Sequence, residues 1–187
     1  MGIKILQIGC NDGDDHVLEF VRTRSDITQV VLVDASLESL CKCKKTYSDV
    51  PNCTFLHSAV VPDDRQSVSL FFPAGEGSSQ HCSLSRDHLV KHNHKHISAM
   101  DVPAININAI IEKHEPVDFL YIDTEGLDSL LVCAIDFAKH KIPHIFFEFV
   151  HSDGPFSIGE NLDAAVSLLR LNGYKTTEID TNIQATL

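Results

Sequence analysis

An apolar run, Ile3, Ile5, Leu6 and Ile8, stops at Gly9-Cys10-Asn11-Asp12-Gly13, and an amphipathic segment with Val17, Leu18, Phe20 and Val21 on one side follows. A buried strand, a glycine turn and a helix, in that order, start an α/β sheet and place a small molecule at the carboxyl end of the first strand. Glycine serves where the chain turns sharply or where a ligand must touch backbone, because a Cβ would block both. A second apolar run, Val30-Val31-Leu32-Val33, ends in Asp34. Nucleotide-binding folds put a ribose-binding carboxylate at that position. Together these features imply a nucleoside-like cofactor. A carboxylate at a strand end also caps the next helix, and Asp34 is open to both readings.

The rest of the chain repeats the alternation. A helix follows Asp34, with Leu37, Leu40 and Cys41 as its apolar side, and Pro51-Asn52 ends it before a third short strand at 53–56. Alternating strands and helices predict a doubly wound, mainly parallel sheet with helices on both faces. The stretch from about 67 to 103 reads as an irregular insertion in a single domain spanning 1–187, with one strand at 67–72 and a flexible turn at Gly75-Glu76-Gly77-Ser78-Ser79. Helical periodicity returns at Ile105, Ile107, Ile110 and Ile111. Val117 to Ile122 reads as a buried strand carrying Asp123 and Glu125 at its end, followed by a helix on Leu127, Leu130, Leu131 and Ile135. A strand from His144 to Val150 containing Glu148, a helix on Leu162, Val166 and Leu169, and two last strands complete the chain.

Composition narrows the function classes. The formal charge of −11 and the lack of a dense Lys/Arg cluster disfavour nucleic acid as a partner. No apolar stretch approaches the length of a membrane span and no targeting pattern is visible, so the chain reads as cytoplasmic and not membrane-bound. Six scattered cysteines without paired C-x-x-C spacing read as reduced thiols rather than a zinc site. Five of the eleven histidines fall in 81–96 (His81, His88, His92, His94 and His96), and the alternate spacing at 92, 94 and 96 reads as a solvated polar segment. No metal site is expected, although Asp123, Glu125 and Glu148 offer a set of oxygen ligands for one divalent ion.

The ordered motifs Ile8-Gly9-Cys10-Asn11-Asp12-Gly13, Asp34, Ser83-Leu84 and Asp123-Thr124-Glu125-Gly126 resemble those of the FkbM-type S-adenosylmethionine-dependent methyltransferases, over roughly residues 3–150. Gln7, Ala35, Tyr121 and Asp128 stand where that family more often carries an acidic residue, Pro, Lys and Glu. The resemblance implies a class I methyltransferase (Rossmann-like) fold with seven strands. It also implies S-adenosyl-L-methionine as cofactor and a sugar or other small molecule, methylated on oxygen, as acceptor. Carried over to this chain, it places the cofactor at Gly9, Asn11, Gly13, Asp34, Ala59 and Asp123.

Charge points the same way. A dinucleotide would lay its pyrophosphate over the first turn, where Asp12, Asp14 and Asp15 would repel it. A sulfonium and an ammonium suit an acidic rim, although Asp14 and Asp15 also complement the helix N-terminus. The competing reading, an NAD-type oxidoreductase or epimerase, lacks the third glycine of its fingerprint and a Tyr-x-x-x-Lys pair. A third reading, a non-catalytic cofactor-binding module, rests on Gln7. For catalysis the candidates are Asp123, nearest the transferred methyl, Glu125 as an orienting group, and His151 as a base. An acceptor site completed by a second copy in a homo-oligomer is a further expectation.

Overall fold

The structure, a computed structural model, describes residues 2–75 and 82–187. Its strands, in chain order, are β1 (Ile3–Ile8), β2 (Ile27–Asp34), β3 (Cys53–His57), β4 (Ala59–Val61), β5 (Ser67–Pro73), β6 (Ile97–Asn106), β7 (Phe119–Ile122), β8 (His144–Glu148), β9 (Lys175–Ile179) and β10 (Asn182–Thr186). The helices are α1 (His16–Arg22), α2 (Leu37–Thr46), α3 (Arg86–Lys91), α4 (Ile107–His114), α5 (Asp128–Ala134) and α6 (Glu160–Leu171).

Seven strands form the main sheet, in the order β3-β2-β1-β7-β8-β10-β9. Pairing is parallel from β3 to β8, and β10 and β9 join antiparallel at the far edge. This is the mainly parallel, doubly wound sheet expected from the alternation of strands and helices. The apolar runs are continuous because both faces are covered. Successive strand residues point to opposite faces. Ile5, Val30 and Leu32 therefore pack with Val17, Leu18 and Val21 of α1 and Leu40 and Cys43 of α2. Leu6, Ile8, Val31 and Val33 pack on the other face with Ile110 and Ile111 of α4, Leu131 and Val132 of α5 and Leu169 of α6. Leu32 is fully buried. Its truncation to Ala would cost about 2–5 kcal/mol, from lost transfer energy and the cavity left behind.

The chain winds from β1 through β2 to β3 on one side, while β7 and β8 lie on the other. The order reverses between β1 and β7, and open α/β sheets bind ligands outside the strand ends at that point. The last residues of these two strands, Ile8 and Ile122, are paired, so Gly9 and Asp123 emerge side by side.

The stretch expected to be an irregular insertion supplies β5 and most of β6 to a second, three-stranded sheet, β4-β6-β5. β5 and β6 run antiparallel from Ser67 opposite Pro103 to Pro73 opposite Ile97, and β4 pairs parallel with β6. The sequence did not announce β6, because Ala99, Met100 and Asp101 are exposed and Pro103 interrupts the strand pattern. The helical periodicity that started at Ile105 in the sequence begins two residues later. The strand runs to Asn106, whose side chain accepts a hydrogen bond from the Asn108 amide (2.8 Å) and so caps α4. The expected turn beyond Gly75 and His81 lie outside the described residues. Among the described residues no two cysteines form a disulfide, and no helix is long and apolar enough to cross a membrane.

Candidate active site

A cavity of about 340 Å³ opens at the reversal point, within the size range of small-ligand pockets. Its floor is the turn after β1 and its flanks are the ends of β2 and β7. One wall comes from the second sheet and the segment between β5 and α3, through Ala59, Val60, Leu70, Ser83 and Leu84. Of the residues expected to hold a cofactor, Gly9, Asn11, Asp34, Ala59 and Asp123 line it. Gly13 does not.

The two glycines are explained by packing rather than by ligand contact. Gly9 has φ 79°, and a Cβ there would overlap the Asp123 backbone carbonyl, so β1 and β7 approach this closely only because the side chain is absent. Gly13, at φ 75°, faces α2, where a Cβ would come within 2.7 Å of Cys43 Sγ and 2.9 Å of the Tyr47 ring.

Asp34 takes the capping role and also lines the cavity. One carboxylate oxygen accepts from the Ser36 amide at 2.7 Å, at the start of α2, and the other accepts from the Asn11 amide at 2.8 Å. The same side chain therefore braces the helix cap and the glycine turn. Burial pushes its pKa up to about 6, against the pull of these two amides. Each oxygen keeps a lone pair, since a carboxylate offers about four acceptor sites. Asp15 caps α1 by accepting from the Val17 and Leu18 amides (2.8 and 3.1 Å), and Asp12, Asp14 and Asp15 together make the rim acidic. Beneath the rim, the Gln7 amide nitrogen donates to Asp15 Oδ2 at 2.6 Å, and the Gln7 carbonyl oxygen is buried without a hydrogen-bond partner.

The loop after β7 is held by Asp128, which the sequence marked only as a departure from the family's usual Glu. Fully buried at the start of α5, it accepts from the Thr124 amide (3.0 Å), the Thr124 hydroxyl (3.1 Å) and the Gly126 amide (3.2 Å). These bonds hold Glu125 at φ 56°, a left-handed conformation for a side-chain-bearing residue. Ser83, from the opposite wall, donates its hydroxyl to the Glu125 carbonyl (2.9 Å) and accepts from the Ser85 amide (3.1 Å). The family serine thus closes the wall onto the β7 loop.

Asp123 presents its side chain to the cavity. Asp123 stays exposed on its open side, and partial loss of hydration against the cavity walls, followed by the nearby Asp128, Glu148, Glu125 and Asp15, raises its pKa to about 8. Burial, with Glu125 and Asp128 adding to it, raises Glu148 to about 7.

Behind the wall, Glu125 Oε2 lies 3.1 Å from His88 Nε2 and 3.8 Å from His151 Nε2. His151 does not line the cavity and is only 6% exposed. Its Nδ1 accepts from the Phe156 amide at 2.9 Å, so the neutral ring carries its proton on Nε2. Burial and His88 lower its pKa, opposed by Glu125. The histidine-rich stretch is solvated only in part. His96 is exposed, whereas His88 is 1% exposed. The signal that would have found His88 is its spacing of four from His92, which puts both rings on one helical face.

A seven-stranded mainly parallel sheet, with a cavity at its reversal point built from a Gly-x-Asn-x-Gly turn and two strand-end aspartates, is the class I methyltransferase fold. The family described as Methyltransferase FkbM domain matches residues 7–176, and the chain belongs to that family. Membership makes S-adenosylmethionine the methyl donor and removes the dinucleotide reading. Among solved structures, the chain is similar to the methyltransferase FkbM of Methylobacillus flagellatus KT, with 14% identity and a TM-score of 0.57 over 98% of this chain and 43% of that one. It thus spans less than half of that protein's length. It is also similar to precorrin-6y C5,15-methyltransferase of Geobacter metallireducens GS-15, with 12% identity and a TM-score of 0.51 over 98% of this chain and 77% of that one. At these identities the likeness is one of fold. No curated protein matches the chain.

The residues fit the donor. Its sulfonium and ammonium would meet the acidic rim, and Asp34 has lone pairs to spare for a ribose. Ala59 and Val60 provide an apolar surface near the end of β3 for a flat base.

Proposed function

We propose that the protein methylates an oxygen of a sugar or another small molecule, with the donor held by Asp34, the Gly9–Asn11 turn, Ala59 and Asp123. When bound, S-adenosylmethionine supplies an electrophilic methyl group on a sulfonium. The carrying observation is the placement of Asp123: a carboxylate with a raised pKa, open to the cavity, at the end of the strand next to the glycine turn. A general base works best with a pKa near the working pH. A positive charge bound in the cavity favours the ionised form of Asp123, so the base is readied in the loaded site.

Glu125 forms the neighbouring wall and orients the acceptor. His151 is a positioning residue that acts through Glu125, because its Nδ1 lone pair is committed to Phe156. The acidic rim favours a neutral or cationic acceptor over a phosphorylated one.

The test is incubation of the purified protein with methyl-labelled S-adenosylmethionine and a panel of neutral sugars, phenols and alcohols, with product analysis by mass spectrometry. Label in an alkali-stable ether supports the reading. Label recovered only on nitrogen, or only as an alkali-labile ester, contradicts it. Asp123→Asn should abolish turnover and also weaken donor binding, because the variant cannot carry the negative charge that faces the bound sulfonium.

A further inference from the structure

The histidines behind the cavity converge with two carboxylates, and no step proposed above uses that convergence. One candidate ligand atom from each of His88, His92 and His151 lies within 4.8 Å of the others, and the same holds for Glu125, Glu148 and His151. His151 belongs to both sets. We propose that His88, His92 and His151, with Glu125 beside them, bind one divalent first-row transition-metal ion of the zinc type.

Three observations carry this. The first is spacing. Two ligands at about 2.0–2.1 Å from a tetrahedral ion lie roughly 3.4 Å from each other. Glu125 Oε2 is 3.1 Å from His88 Nε2 and 3.8 Å from His151 Nε2, one on either side of that value.

The second is the state of His88. It is 1% exposed, and neither ring nitrogen makes a hydrogen bond, even though Nε2 is so close to Glu125. Nε2 and the carboxylate oxygen meet at this location without the geometry of a hydrogen bond. A buried imidazole without partners calls for one, and an ion at that location would supply it.

The third is the assembly of the rings. The His88 and His92 rings are tilted against each other at 4.5 Å between centroids and His151 stands edge-on to His88 at 4.7 Å, with the Phe156 ring 4.7 Å from His92 and 5.0 Å from His151. Apolar cover of this kind limits access of water to a metal site and tunes it. The donor set selects the ion. Imidazole nitrogens with a carboxylate suit zinc, cobalt, iron or nickel, whereas magnesium prefers oxygen throughout.

Loading has a defined proton balance. In the metal-free chain the Phe156 amide donates to His151 Nδ1, so Nε2 carries the ring proton. For Nε2 to ligate, that proton leaves Nε2, Nδ1 takes one up, and the Phe156 amide lets go of Nδ1. Phe156, held at φ 55°, is in a conformation that a bulky side chain rarely adopts, and loading would release it. Glu125 also lines the cavity, which puts the ion one carboxylate away from the acceptor. That last consequence rests on the proposed function; ion binding itself does not.

The experiment is titration of chelator-treated protein with Co²⁺, read by visible absorption, and with Zn²⁺ in competition. One equivalent of Co²⁺ with ligand-field bands of a four- or five-coordinate ion is expected, displaced by Zn²⁺ and indifferent to Mg²⁺. His92→Ala and Glu125→Gln should weaken binding by at least about 10–100-fold, with unchanged far-ultraviolet circular dichroism. His88→Gln should abolish it. His96→Ala, on the exposed side, should change nothing. Absence of one-equivalent binding in the folded wild-type protein overturns the proposal. So does equal affinity in His92→Ala and Glu125→Gln, which do not depend on the buried His88 position being tolerant. Because the readout is binding, a protein that fails to methylate oxygen leaves this result standing, and failure to bind metal leaves methyl transfer standing.

Discussion

Gly9 and Gly13 have nearly the same backbone conformation, φ 79° and 75°, but they face different neighbours, and the pair allows a controlled test of how the site is built. Placing an Ala at either position costs roughly 1–2 kcal/mol for the left-handed conformation alone. That part cancels in the comparison. At Gly13 the new methyl meets Cys43 Sγ at 2.7 Å and the Tyr47 ring at 2.9 Å, both side-chain atoms of or next to α2 that can shift. At Gly9 it meets the Asp123 backbone carbonyl, which can move only if β1 and β7 part. Parting the strands threatens the bond from the Asp123 amide to the Ile8 carbonyl (2.9 Å) and the end of the parallel ladder between β1 and β7 behind it. Each buried backbone bond left unmade costs about 1–3 kcal/mol. Gly9→Ala should therefore lose about 2–4 kcal/mol more than Gly13→Ala, a large part of a total near 5–15 kcal/mol. Urea unfolding followed by circular dichroism measures both. Losses equal to within about 0.5 kcal/mol would refute the reasoning, because they would mean that the close approach of β1 and β7 contributes nothing.

Two further outcomes follow from the site's electrostatics and walls. Asp123 and Glu148 have folded-state pKa values raised to about 8 and 7, so the native state holds their protons more tightly than the unfolded chain. Stability from this source is present at low pH and is lost as pH rises through those values. The lowered pKa of His151 has the opposite effect, but that is complete once the unfolded imidazole is neutral, above about pH 7.5. Between pH 7.5 and about 8.5 the urea midpoint should therefore fall, and fall less with S-adenosylmethionine present; a rise would contradict the assignment. Ser83→Ala removes the hydroxyl that bonds the Glu125 carbonyl and the Ser85 amide. It should cost about 1–2 kcal/mol in stability and lower kcat several-fold, with the donor's Kd unchanged in the same titration.

What the sequence disclosed and what it hid divide along physical lines. That Gly9, Asn11, Asp34 and Asp123 line the cavity was legible because each sits at or just past the end of an apolar run, and strand ends in an alternating α/β chain have a predictable common side; Ala59 came from the family resemblance. The reason for Gly13 was not legible, since it depends on how α2 packs over the turn. Nor was β6, whose exposed residues and proline obscure alternation although it pairs on both sides. Asp128 carried only a local signal, an acidic residue four after Thr124 at a helix start, which reads equally well as charge complementarity. The meeting of His88, Glu125 and His151 joins α3, the β7 loop and the segment after β8. No spacing rule connects three such elements, and the alternate histidines at 92, 94 and 96 drew attention away from the i, i+4 pair that mattered.

The most direct test of the central claim, that the Asp34-braced turn is a working S-adenosylmethionine site, is calorimetric titration of the wild-type protein and Asp34→Ala with S-adenosylmethionine and S-adenosylhomocysteine, with NAD⁺ as control. The account predicts saturable binding of both sulfur cofactors at one site, none of NAD⁺, and loss of binding in a variant that remains folded by circular dichroism. A folded wild-type protein that binds neither sulfur cofactor, or an Asp34→Ala variant that binds them as tightly as wild type, would contradict it.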